Sequence, residues 1–120
     1  VNFTDLEVWK KARAFRNKIF ALTRFFPKEE RYSLTDQLLR ASRSVTANIA
    51  EGHGRYHYQE NIRFCRIARG SLFEVLDHLI CANDCQLIPK ETLLELKYEA
   101  EQINRILNGY IIYLKKQKQA

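Results

Sequence analysis

A chain of 120 residues and 14.2 kDa fits one domain with a real core and is too short for two. Hydrophobic residues at 46% and charged residues at 28% exclude a disordered chain, and the short apolar runs exclude a helix of the roughly 20 residues that crosses a bilayer. The formal net charge of +6 raises the expectation of an anionic partner, although charge bears on association rather than on fold.

Only 4 Gly and 2 Pro interrupt the chain, which disfavours a turn-rich β architecture and leaves long helices. Thr4-Asp5-Leu6-Glu7 reads as a capping box, with the Thr hydroxyl and Glu carboxylate satisfying backbone N–H groups at a helix start. Val8, Ala12, Phe15, Ile19, Leu22 and Phe26 then recur at helical spacing until Pro27, whose ring ends the ladder.

Ser33 is placed to cap a second helix with the seam Leu34, Leu38, Ala41, Val45 and Asn48, and Gly52 stands where a left-handed residue would close it. A third helix is expected from about Tyr58, with the seam Cys65, Ala68, Leu72, Val75, Leu79 and Ala82. Pro89 suits the first turn of a fourth, whose seam is Leu93, Leu96, Ala100, Ile103, Leu107, Tyr110 and Leu114. Gly70 and Gly109 fall inside helices, where each costs about 1 kcal/mol against Ala, so a packing or partner reason is expected for both.

Short connections between four amphipathic helices predict an all-α, antiparallel up-down-up-down bundle occupying residues 1–120 as a single domain. The same register leaves Phe20, Leu39, Ile67, Phe73, Ile80, Leu94 and Ile112 on outer positions. Large apolar residues repeated there point to a homo-oligomer, although a bundle with wide apolar stripes would account for some of them.

The topology also sorts the charge. One end should collect the N-terminus, the turn between helices two and three, and the C-terminus. Residues 1–15 carry one net positive charge, 40–70 carry four and 105–120 carry four, so this half holds +9 and the rest of a +6 chain holds −3. Arg40, Arg43, Arg55, Arg63, Arg66, Arg69, Lys115, Lys116 and Lys118 are the candidate contacts to a nucleic-acid backbone, with Tyr56, Tyr58 and Tyr113 available to stack on bases. A solvated or oligomer-pairing face is the competing reading. Lysines near the end of the fourth helix also complement its dipole, but arginines in the first half of the third oppose theirs.

Little in the chain suggests catalysis. The segment GHGR lacks the Lys-Ser/Thr of a phosphate-binding loop and follows no strand, so it reads as a helix end and turn. Asn48 and Glu51 nearby are expected to be satisfied by the turn's N–H groups or by an arginine. His78, Cys81 and Cys85 share one side of the third helix, yet no fourth ligand or tight thiol knuckle accompanies them, and thiols filling a helix interface are the simpler reading. No Glu is followed by His three residues on, so no di-iron site is expected. The expectation is a non-enzymatic protein with no cofactor or metal. The odd count of three cysteines suggests reduced thiols, and the stretch VNFTDLEVWKKA lacks a leader's apolar segment, so a cytoplasmic location without membrane contact is expected.

The segments FTDLEVWKKA, YSLTDQLLRASRSVTANIAEGHGR and ENIRFCRIARGSLFEVLDHL resemble the bacterial four-helix-bundle family of 23S ribosomal RNA intervening-sequence proteins. The most specific parts are NIAEG with Gly54-Arg55, then Arg63-Phe64 and the run from Ile67 to Ser71. That resemblance implies a bundle assembling as a ring-like homopentamer. It also implies relationship to accessory proteins of diversity-generating retroelements, which are basic pentamers that bind nucleic acid and a reverse transcriptase. It supplies no catalytic residue, and it places Asn48, Glu51, Gly52 and Arg55 in a shared turn. Two functions follow as expectations: an oligomeric RNA or DNA binder using the basic end, or a scaffold docking a protein partner such as a reverse transcriptase.

Overall fold

Each apolar seam forms a helix in a computed structural model that describes residues 1–120. The four helices are α1 (Glu7–Thr23), α2 (Leu34–Gly54), α3 (Tyr58–Asp84) and α4 (Lys90–Gln119), and there are no strands. Each helix packs on two neighbours, α1 and α3 both lying between α2 and α4, and neither diagonal pair makes a close backbone approach. That is the square section of a four-helix bundle.

The contacts between helices fix the directions. Ser44 of α2 meets Ser71 of α3 at 2.8 Å, while Gly52 lies against Asn61, so rising numbers in α2 meet falling numbers in α3. Arg16 of α1 donates to Thr46 Oγ1 at 3.1 Å, and the Val1 carbonyl meets His53, which sets α1 antiparallel to α2. Arg69 donates to Asn108 Oδ1 at 2.7 Å and Lys118 pairs with Gln59, which sets α3 antiparallel to α4. The bundle therefore runs up-down-up-down. Its long extent is 50 Å, and α4, with 30 residues, covers about 45 Å of it at the helical rise.

The core follows the seams closely. Phe15, Ile19, Leu38, Val45, Ile49, Cys65, Leu72, Val75, Leu79 and Leu107 are all nearly or wholly inaccessible. Each large apolar side chain so buried contributes about 1.5–3 kcal/mol. In α4 the seam widens near its end: Ile111 is buried while Tyr110 is half-buried, its hydroxyl turned to a polar partner.

Several local expectations are corrected. The capping box lies two residues earlier than Thr4–Glu7. Asn2 accepts from the Thr4 N–H and Asp5 accepts from the Asn2 N–H, capping a short 3₁₀ turn, and α1 then begins after Leu6 without a side-chain cap. Helix α1 ends at Thr23, four residues before Pro27, where bonds from the Phe25 N–H to the Leu22 carbonyl and from the Phe26 N–H to the Thr23 carbonyl tighten the chain into turns. Ser33 stands at the start of α2, but its hydroxyl caps nothing.

Gly52 is not a left-handed closing residue. It lies inside α2, buried, where an added β-carbon would stand 2.8 Å from Asn61 Oδ1 and 2.9 Å from Phe64 Cβ. Close helix approach, not backbone freedom, requires it. The left-handed conformation falls instead on Tyr56, with φ of 60°, two residues beyond α2.

Of the seven outer apolar positions, Phe20, Ile67, Phe73, Ile80, Leu94 and Ile112 are exposed. Leu39 is half-buried in the groove between α1 and α2. Gly70 and Gly109 face open space, with no atom near a would-be β-carbon, so packing within the chain does not explain either.

Candidate nucleic-acid interface

The antiparallel register brings the start of α3 beside the end of α4. Gln59 opposite Lys118 and Arg69 opposite Asn108 set Arg63 and Arg66 alongside residues 111–114, with Lys115 and Lys116 in the next turn. Arg43, Arg63, Arg66, Lys115 and Lys116 are all exposed and form no ion pair. Arg63, Arg66, Lys115 and Lys116, far apart in sequence, thus share one end of the molecule, whereas Arg43 lies in the groove between α1 and α2, eleven residues and about 16 Å along α2 from Gly54.

The other four candidates are already engaged. Arg55 donates to Glu51 at 2.8 Å and lies 3.6 Å from Glu60, so it clamps the α2–α3 turn. The Glu51 hydrogen bond, with the charge of both carboxylates, raises the pKa of its guanidinium. Arg69 is half-buried against Asn108, and Lys118 holds Gln59. Arg40 pairs with Asp36 at 3.0 Å, in the first turns of α2. Fourteen residues separate it from Gly54, about 21 Å along the helix, so it lies well away from the basic end.

One buried amide organises this end. Asn61 donates from Nδ2 to the Tyr110 hydroxyl at 3.1 Å and accepts from the Cys65 thiol at 3.5 Å, while its Oδ1 touches the space beside Gly52. It therefore joins α2, α3 and α4 at one point. Burial raises the pKa of the Tyr110 hydroxyl and pushes the Cys65 thiol up to about 12, so both stay protonated near neutral pH. Asn61 was not singled out by periodicity. The available signal was an Asn four residues before Cys65, at the same helical position as the core seam.

The turn residues act as structure. Glu51 is held by Arg55, as expected, whereas Asn48 donates to the Ser44 carbonyl at 2.8 Å and to the Ser44 hydroxyl at 2.9 Å, rather than accepting from the turn. At the opposite end of α3, His78 lies 3.4 Å from Glu74, and no cluster of three His, Cys, Asp or Glu side chains is placed to hold a metal ion. Cys65 fills the core, but Cys81 and Cys85 are exposed and fill no interface within the chain.

The sequence matches the family model described as 23S rRNA-intervening sequence protein over residues 4–109, which takes in all of α1, α2 and α3 and two thirds of α4. The chain belongs to this family. A similar solved structure is described as a protein with unknown function from the S23 ribosomal protein family of Bacteroides thetaiotaomicron. It superposes with a TM-score of 0.80 at 25% identity, over 87% of this chain and 97% of that one. No curated protein sequence matches. In this intervening-sequence family member the matched span includes Gly52, Asn61, Arg63 and Arg66, and ends one residue before Tyr110. No helix is long and apolar enough to cross a membrane.

Proposed function

We propose that this chain is a non-enzymatic, homo-oligomeric nucleic-acid-binding protein that grips a phosphate backbone, of RNA foremost, with the basic end of its bundle. The observation that carries the reading is the juxtaposition of exposed Arg63 and Arg66 on α3 with Lys115 and Lys116 on α4, none of them neutralised by a carboxylate. Like charges gathered without partners cost free energy unless a polyanion offsets them. Arginines in the first half of α3 also lie at the positive end of its dipole, so helix electrostatics alone do not favour them there.

Homo-oligomer formation would repeat this end around a ring and strengthen its field. It is supported by the exposed apolar residues Phe73 and Ile80 on α3 and Leu94 and Ile112 on α4.

The acidic other half of the bundle, with Glu74, Asp77, Asp84, Glu91 and Glu95, favours a second reading, in which the chain is a scaffold that docks a protein partner such as a polymerase. Charge reversal separates the two. In the Arg63→Glu, Arg66→Glu variant, retention of a labelled ribosomal RNA fragment on a filter should collapse under the first reading. Undiminished retention would remove it. Under the second, pull-down of the partner protein should survive the same substitutions.

A further inference from the structure

The end cap of the bundle holds a pocket that the charge pattern alone does not explain. Its volume is about 310 Å³, near the lower bound of about 300 Å³ for small-ligand sites, and Tyr56, Tyr58, Tyr110 and Tyr113 line it together with His57 and Asn61. Four tyrosines around one cavity, on three separate segments, is not what core packing requires. Tyr56, Tyr58 and Tyr113 keep between 46% and 88% of their surface exposed, so most of this aromatic area faces the cavity mouth and solvent.

Two features hold these rings in place without a ligand. Tyr110 is anchored by the Asn61 amide, and Tyr113 lies nearly parallel to it, with ring centroids 6.3 Å apart and planes 12° from one another. Tyr56 is carried into the lining on a left-handed backbone, with φ of 60°. A bulky residue rarely takes that conformation, which costs free energy, and such strain collects at ligand sites. Lys116 stands one turn of α4 beyond Tyr113, on the same side of that helix and unpaired, whereas Arg55, which precedes Tyr56 directly, is already held by Glu51 and Glu60.

We propose that this pocket receives a single unpaired nucleobase of a bound strand, stacked on the Tyr110–Tyr113 pair, while the cations of the basic end hold the flanking phosphates. Every base has a π face, so stacking of this kind tolerates sequence but requires that the base leave its partner. The protein would then prefer single-stranded segments, loops and ends to continuous duplex. The cavity admits one ring system, and a paired base inside a helix has no face free to enter it. This inference rests on the backbone-binding reading above and adds to it the chemical identity of what enters the pocket.

Three end-labelled probes of about a dozen nucleotides test it by fluorescence anisotropy at one fixed salt concentration: an ordinary single strand, the same backbone made abasic, and a perfect duplex. The ordinary strand should bind at least about tenfold more tightly than either of the others. Tyr113→Ala and Tyr58→Ala, both at exposed rings, should bring its affinity down to that of the abasic strand. Tyr113→Phe should leave it unchanged, since the ring and not the hydroxyl does the stacking. Arg63→Glu with Arg66→Glu should weaken all three probes together.

Equal affinity for ordinary and abasic strands, or for single strand and duplex, would overturn the pocket's role and leave the backbone reading standing. Failure of every probe to bind would overturn both.

Discussion

A β-carbon on Gly52 would stand 2.8 Å from Asn61 Oδ1, so α2 and α3 meet at a point where only a hydrogen atom fits. Asn61 cannot yield freely, because its amide is tied to Tyr110 and its carbonyl oxygen to Cys65. Gly52→Ala gains about 1 kcal/mol of helix propensity. Overpacking costs about 1–3 kcal/mol and should win against that gain. Thermal unfolding should show a melting temperature several degrees lower, and a melt at or above the wild-type value would show that the contact relaxes without cost.

Gly70 gives the opposite prediction, since nothing lies within reach of an added β-carbon there. Gly70→Ala should stabilise an isolated chain by up to about 1 kcal/mol through backbone propensity alone. The check is a thermal melt at low protein concentration. A lowered melting temperature would place another protein surface against that face of α3.

Tyr110→Phe isolates the polar anchor. The substitution keeps the ring but leaves Asn61 Nδ2 buried without its acceptor. A cost of about 1–3 kcal/mol is expected in urea unfolding, the penalty for an unpaired buried donor. A change below about 0.5 kcal/mol would mean that water replaces the hydroxyl.

The three thiols should separate by reactivity. Cys81 and Cys85 are exposed and should alkylate in the folded protein, whereas Cys65 is wholly buried with its pKa pushed up to about 12 from 9.0. A folded sample should therefore take two labels and a denatured one three, counted by mass spectrometry. The sign of the pH effect follows from the same shift. Above pH 9 the unfolded chain releases the Cys65 proton and the folded chain keeps it, so stability is full below that pH and falls toward pH 12. The slope should approach about 1.4 kcal/mol per pH unit from this group. Cys65→Ala should flatten it.

The helices were legible in the sequence because burial repeats with the helical period. Every expected seam residue of α3 from Cys65 to Ala82 is buried. The shared basic end followed from topology plus charge counting, since antiparallel neighbours must bring Arg63 toward Lys115. What escaped were interactions set by close approach rather than by period. A glycine near a helix end looks the same whether its backbone or its missing side chain matters, so Gly52 read as a cap. The turn conformation fell on Tyr56, a residue with no preference for it. Arg40 counted toward the basic end by number alone, although the helical rise carries it about 21 Å away. Asn61 looked like any polar residue until its partners, 9 and 49 positions along the chain, were brought against it.

The most direct test of the proposed function is the salt dependence of binding to a single-stranded RNA. Four unpaired cations at the basic end, Arg63, Arg66, Lys115 and Lys116, would displace counterions from as many phosphates. The logarithm of the association constant should then fall against the logarithm of salt concentration with a slope of about −2.8 per protomer engaged, a loss of about fiftyfold between 50 and 200 mM. Anisotropy titrations across that range that show no binding at the lowest salt, or binding indifferent to salt, would contradict it.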